Sequence, residues 1–166
     1  MGKNTLATTE KATMTAIRPL TVSDHSEVMK IVETLPEWFD STARQKSIPM
    51  DLKHQKGFVA LIKDIAVGFI TLYVADGKLH IGWLGVRKDF HRQGVGTQLL
   101  QKAEEQATAL GFGELITYTL GDSVDYKPYE LTRKFYFRSG FQVYLRKQTD
   151  NPGCTEELWI SKRINP

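Results

Sequence analysis

Val86-Arg87-Lys88-Asp89-Phe90-His91-Arg92-Gln93-Gly94-Val95-Gly96-Thr97-Gln98-Leu99-Leu100 joins an apolar run, Leu79 to Val86, to a segment of helical periodicity. A polar turn separates the two, and Gly94 and Gly96 open the helical part. The glycines remove Cβ atoms where backbone N–H groups face outward at a helix N-terminus. Those unpaired N–H groups and the positive end of the helix dipole suit a phosphate, and Arg92 adds a fixed positive charge. Two other phosphate loops fit poorly. A dinucleotide fingerprint would need a third glycine where Leu99 stands, and no Gly-Lys-Ser/Thr run occurs in the chain. A tight turn using its glycines only for backbone angles is the bland alternative.

The 166 residues are 41% hydrophobic and 25% charged, enough for one domain with a proper core. The expected organisation is a flexible leader over residues 1–12 and a single domain over 13–166. The leader is polar and Thr-rich, and Leu6 stands where a myristoylation signal needs Ser or Thr. No apolar run approaches the ~20 residues that span a bilayer. Cys154 is the only cysteine, so neither an internal disulfide nor a cysteine-rich metal site can form. The cytoplasm is the expected location, with no membrane partner and no metal. The net charge of +3 is mild, and its densest basic group, Arg87, Lys88, His91 and Arg92, coincides with the glycine loop. Nucleic acid normally asks for a broader basic face.

The rest of the chain reads as a mixed sheet with helices. Thr13 to Pro19 suggests a first strand. Ser23 or Asp24 can cap a helix carrying Val28, Ile31, Val32 and Leu35 on one face. Pro36 stops it and is placed to start a short helix through Trp38, Phe39 and Ala43. Gly57–Ile62, Ala66–Val74 and Leu79–Val86, separated by polar turns at Lys63-Asp64 and Asp76-Gly77, read as consecutive antiparallel strands. After the loop, Val95, Leu99, Leu100, Ala103, Ala107 and Leu110 form an amphipathic stripe ending at Gly111. Glu114–Leu120 is a strand, so a parallel crossover follows. Pro128 opens a further helix with Leu131, Thr132, Phe135 and Tyr136 inward. Phe141–Leu145 and Glu157–Ile164 close the domain, leaving strands for a homodimer to pair.

Thr132-Arg133-Lys134-Phe135-Tyr136-Phe137-Arg138-Ser139-Gly140-Phe141 is a second signature. It resembles the pattern of the GNAT superfamily of acyl-CoA-dependent N-acetyltransferases, in which an aromatic-Tyr pair ends a helix and Gly-Phe follows three residues later. The glycine loop is similar to that family's pyrophosphate motif, Gln/Arg-x-x-Gly-x-Gly/Ala. The two stand in the family's order, and the likeness extends over roughly residues 14 to 164. It implies an α/β (α+β) fold with a GNAT-like mixed central sheet, antiparallel in its N-terminal half and parallel around the phosphate-binding helix. It also implies acetyl-CoA as cosubstrate, an amine acceptor and no metal.

By the same resemblance, His91, Arg92, Gln93, Gly94, Val95, Gly96 and Thr97 hold the pyrophosphate. Leu84, Gly85 and Val86 lie along the pantetheine and acetyl group, with a local bulge freeing an N–H for the carbonyl oxygen. Tyr129, Phe135 and Tyr136 complete the cofactor side. Two departures stand out: His91 replaces the usual Gln or Arg, and Tyr129 replaces an Asn that contacts the pantetheine arm.

Direct transfer needs an amine freed of its proton, a donor for the oxyanion and an acid for the leaving sulfur. Tyr136 is the candidate acid, with a core tyrosine as the alternative. Cys154 has no role in the pattern and reads as a small half-buried residue. The base is open among His80, Glu37 and a water chain. His80 lies six residues before Val86, where several family members carry a catalytic Glu. Period-two counting puts His80, Gly82, Leu84 and Val86 on one face. Glu37 sits beside Trp38 and Phe39, where the family builds its acceptor wall. A non-catalytic acyl-CoA sensor of the same fold is the competing reading.

Overall fold

The computed structural model describes residues 14–165, so the leader read over 1–12 lies outside the described residues. One sheet of seven strands organises them: β1 (Thr15–Pro19), β2 (Lys56–Ile62), β3 (Ile65–Ala75), β4 (Lys78–Val86), β5 (Glu114–Leu120), β6 (Gln142–Gln148) and β7 (Glu156–Arg163), in the order β1-β2-β3-β4-β5-β7-β6. All neighbours are antiparallel except β4 and β5. The hairpin turns follow from residues that tolerate left-handed angles. Lys63-Asp64 has φ of 51° and 64°, and Asp76-Gly77 has 52° and 71°, so each pair fits the twist of its flanking strands.

Two helical layers cover the sheet. On one face, α3 (Val95–Ala109) buries Val95, Leu99, Leu100, Ala103 and Ala107 against β2, β3 and β4. Leu110, read as part of that stripe, is 54% exposed because it lies in the terminating turn beside Gly111. On the same face, α4 (Lys127–Arg138) turns Arg133 and Tyr136 inward and leaves Leu131 exposed. Of the inner face assigned from periodicity, Tyr136 is buried and Thr132 and Phe135 are half-buried, with Phe135 packed on the core, while Leu131 faces outward and Arg133 is buried in its stead. The opposite face carries α1 (His25–Glu33), with Val28, Ile31 and Val32 buried, and α2 (Ile48–Asp51). The short helix expected from Pro36 forms later. Residues 36–40 are turn, and a wide helical stretch over Ala43–Ser47 leads into α2.

The feature that positions the site is a fork. β4 and β5 are bonded only at Leu79↔Leu115 and His80↔Ile116, after which the two strands part. β4 also contains a bulge. Ile81 pairs with Leu72 and Leu84 with Ile70, so Gly82 and Trp83 together oppose Thr71. The bulge expected around Leu84–Val86 therefore lies one to two residues earlier. Its extra residue shifts the alternation of the strand. Leu79 and Ile81 share the α3 face with Leu84 and Val86, while His80 is on the other face with Trp83. Period-two counting from Val86 passes over this extra residue, so His80 lies on the face opposite Leu84 and Val86, not with them.

Candidate active site

The mouth of the fork is the loop from β4 into α3. A single tight turn at Lys88–Phe90 is followed by Arg92 at φ 61° and Gly94 at φ 82°. A left-handed conformation costs a non-glycine residue about 1 kcal/mol, so Arg92 is held there by its surroundings. Gly94 is the N-cap of α3, and no side chain caps that end. The first helical bond runs from the Gln98 N–H to the Gly94 carbonyl, so the N–H groups of Val95, Gly96 and Thr97 have no acceptor within the helix. A Cβ built on Gly94 would meet no atom within 4 Å, so the space in front of it is open. Gly96 is different: its Cβ would sit 3.5 Å from the Phe135 ring, where α4 lies against the first turn of α3. Arg92, Gln93 and Thr97 are exposed around this opening. The arrangement can take an anion on backbone N–H groups.

His91 does not point into that opening. Its Nε2 is 2.6 Å from the Val86 carbonyl, and its ring meets Trp38 edge-on at 5.4 Å. It ties the loop back to the end of β4. Gly85 also has a packing reason to lack a side chain, since a Cβ there would lie 2.8 Å from the Phe69 ring. The Arg87 N–H bonds the Val67 carbonyl, and the Trp83 N–H bonds Thr71 Oγ1 at 2.8 Å, both toward β3. Backbone alternation between them turns the Leu84 and Val86 N–H groups toward the fork.

Tyr136 stands on the α4 side of the fork, only 5% exposed, between the edges of Phe135 and Phe141. Its hydroxyl lies on the side of Thr117 on β5. Thr117 Oγ1 in turn donates to the Ile81 carbonyl on β4 at 3.3 Å. The link crosses the fork one residue beyond its last paired position. Burial drives the phenol well above its ordinary pKa, with Thr117 opposing weakly, so it stays protonated as a donor.

His80 occupies the apex of the fork on the other face. It is 7% exposed, and neither ring nitrogen has a hydrogen-bond partner among the described residues. Its ring stacks on Tyr73 at 4.9 Å and meets Trp159 edge-on at 6.2 Å. An unpaired buried polar group costs about 1–3 kcal/mol, so a native fold that keeps one needs a reason.

Glu37 is engaged elsewhere. Its carboxylate accepts from Lys88 Nζ at 2.5 Å, and that bond holds its pKa below the ordinary carboxylate value. Around it, the turn over residues 36–39 is pinned to the start of α4. Tyr126 Oη donates to the Glu37 carbonyl at 2.7 Å, Tyr129 Oη to the Trp38 carbonyl at 2.5 Å, and Trp38 Nε1 to the Pro128 carbonyl at 3.0 Å. Tyr129 thus serves a strap across the fork, and burial raises its pKa. Cys154 is half-buried, and burial raises its thiol pKa to about 11, which disfavours the thiolate.

Three features escaped the sequence reading. Arg133 is buried, and its Nη1 donates to the Leu120 and Gly121 carbonyls at 2.8 and 3.3 Å, closing the end of β5. Thr117 and Asp51 are the others. None had a distinguishing signal beyond lying near a motif or in a helical stretch. Among the described residues no group of three or more His, Cys, Asp or Glu is placed to hold a metal, and no helix is long and apolar enough to cross a membrane.

The family model for the acetyltransferase (GNAT) family matches residues 21–141, which run from the approach to α1 through the Gly-Phe after α4. This chain belongs to the GNAT acetyltransferase family. No curated protein matches it in sequence. Among solved structures it is similar to a GNAT-family protein from Desulfovibrio desulfuricans, at 20% identity and a TM-score of 0.78 over 92% of this chain and 100% of that one. It is also similar to the ribosomal-protein-S18-alanine N-acetyltransferase of Escherichia coli, at 15% identity and 0.73 over 92% and 96%. A third is PaiA N-acetyltransferase from Thermoplasma acidophilum, solved in complex with coenzyme A, at 17% identity and 0.69 over 90% and 99%. These likenesses concern the fold. The mixed sheet with one parallel pair is the GNAT arrangement, and in this member the fork lies at that pair.

Proposed function

We propose that this GNAT protein is an N-acetyltransferase that moves an acetyl group from acetyl-CoA to a primary amine of a small molecule or protein by direct attack. The observation that carries this reading is the convergence of Tyr136 and His80 on the fork from opposite faces. Acetyl-CoA would supply a thioester and a pyrophosphate. The residues present fit both groups. The uncapped N-terminus of α3 and the open space before Gly94 suit the pyrophosphate, and the fork offers the Leu84 N–H to a carbonyl oxygen.

Each residue then has a task. His80 accepts the proton of the attacking ammonium, either directly or through one water. As the amine nitrogen bonds to the acyl carbon, the Leu84 N–H donates to the developing oxyanion. When the carbon–sulfur bond breaks, Tyr136 donates its phenolic proton to the thiolate, and the second proton, shed by the nitrogen as it becomes an amide, passes through solvent to restore the phenol. Glu37 is the weaker base because Lys88 lowers its basicity. The single half-buried cysteine fits a reducing compartment, and we place the activity in the cytoplasm.

A sensor that binds acyl-CoA without turnover would have little use for an unpaired buried imidazole at the fork. The test is continuous thiol detection with acetyl-CoA and a panel of primary amines. Amine-dependent release of free thiol at a rate above buffer hydrolysis is expected. Tight acetyl-CoA binding with no amine-dependent release would leave the sensor reading.

A further inference from the structure

On the face carrying α1 and α2, the sheet is left uncovered over β5 and β7, where Tyr118 is 46% exposed. A line of rings forms the floor there. Tyr73 stacks on His80 at 4.9 Å, His80 meets Trp159 at 6.2 Å, and Trp159 lies against Tyr118 at 4.9 Å. Two carboxylates stand over this floor, each oriented by an indole. Asp51 Oδ2 accepts from Trp83 Nε1 at 2.8 Å, and Glu157 Oε2 accepts from Trp159 Nε1 at 2.9 Å. Other carboxylates of β5 and β7 are paired: Glu156 with Arg146, and Glu114 with Lys78. Asp51 and Glu157 have no Lys or Arg within ion-pair distance among the described residues, although Lys147 stands opposite Glu157 in the β6–β7 register. After burial, the fields of both carboxylates are what raise the Tyr73 pKa, and both also act on Tyr118, so they converge on one patch.

Two carboxylates without a direct ion-pair partner, above ring faces, attract cations through charge and through the ring quadrupoles. The independent sign that a ligand belongs here is His80, more than nine-tenths buried at the inner end of the floor with both nitrogens unpartnered. We infer that the acceptor is an amine bearing a second positive charge on an apolar stem: one amino group reaches His80 at the fork, and the other is held over Tyr73 and Trp159 by Asp51 and Glu157. The acetyl transfer rests on the proposed function, whereas binding of the second charge does not. Uncharged and anionic amines lack the group that would neutralise these carboxylates and are the disfavoured acceptors.

Calorimetric titration separates the alternatives without relying on turnover. 1,5-Diaminopentane and 1-aminopentane are titrated into the 166-residue protein, with and without saturating coenzyme A. The diamine should bind at least tenfold more tightly, and the preference should shrink as salt rises. In Asp51→Asn/Glu157→Gln, which keeps an oxygen acceptor for each indole, the preference should fall below threefold while 1-aminopentane binds as before. Equal affinities in the wild type, or a preference unchanged in the double variant, overturns the inference. If the double variant is poorly folded, Glu157→Gln alone should still reduce the preference, and no reduction there overturns it. Thiol release from both amines with equal affinity would overturn this inference and leave the transferase reading standing. A clear diamine preference without thiol release would do the reverse.

Discussion

The α3–α4 side of the sheet and the α1–α2 side meet at the same fork but contribute to it by different means. On the first side, the phosphate loop offers main-chain N–H groups and empty space, set by Gly94 at φ 82° and by an uncapped helix end. On the second side, the offering is made of side chains: the unpaired His80, the ring of Trp159 and the carboxylates of Asp51 and Glu157. The first side can hold any ligand with the same diphosphate, whatever is attached to it. The second can change with each substitution and leave the backbone as it is. In the proposed reaction this division would suit a shared acetyl donor and a variable acceptor.

The largest effects are expected at the two side chains proposed to react. Tyr136→Phe removes one oxygen and keeps the ring between Phe135 and Phe141, so turnover should fall by roughly 10²-fold with acetyl-CoA affinity little changed. Steady-state kinetics beside calorimetry would check it, and wild-type turnover in a folded variant would reduce Tyr136 to a packing residue. His80→Ala should also lower kcat by about 10²-fold, most at low pH where the amine is hardest to deprotonate. A pH–rate profile superimposable on the wild type would move the base to water.

Glu37→Gln sharpens the choice. It removes the bond from Lys88 at a half-exposed position, so turnover should change by less than about threefold, in keeping with the small worth of such pairs. A loss comparable with His80→Ala would restore Glu37 as the base.

The smallest effect concerns how the α1–α2 side is held. Asp24 accepts from both terminal nitrogens of Arg18 at 2.8 Å and from the Thr21 N–H at 2.8 Å, and these bonds hold its pKa well below the carboxylate range. A depressed folded-state pKa stabilises above the unfolded value near ~3.9 and is lost as pH falls below it. Asp24→Asn should therefore cost about 1–2 kcal/mol at neutral pH, and the gap in urea unfolding should narrow as the medium is acidified below about pH 4. A gap independent of pH would show that the ionised carboxylate is not what matters.

What could be read in advance follows the same division. Gly94 and Gly96 announce a phosphate loop because backbone recognition demands particular spacings, and the Tyr136-to-Gly140 spacing announces the end of α4. The hairpins at Lys63-Asp64 and Asp76-Gly77 were legible because left-handed turns restrict residue choice. The bulge at Gly82–Trp83 was not, since nothing local distinguishes an extra residue from a regular strand. That single residue moved His80 to the opposite face. Asp51 was hidden for another reason. Its helical stretch has little periodic apolar pattern, and its role depends on Trp83, distant in sequence. Arg133 reads as one more basic residue on a helix until the parted end of β5 supplies its carbonyl partners.

The central claim, that the open N-terminus of α3 holds the cofactor's diphosphate, is tested most directly by titrating acetyl-CoA into Gly94→Val and Gly111→Val. Gly94 and Gly111 have similar positive φ, 82° and 79°, and no atom lies within 4 Å of either would-be Cβ, so the backbone strain is matched at the two ends of one helix. Losing even one charge-assisted hydrogen bond, at about 1.5–3 kcal/mol, raises Kd tenfold or more. The account predicts that loss for Gly94→Val and wild-type affinity for Gly111→Val. Equal affinities in the two folded variants would contradict it.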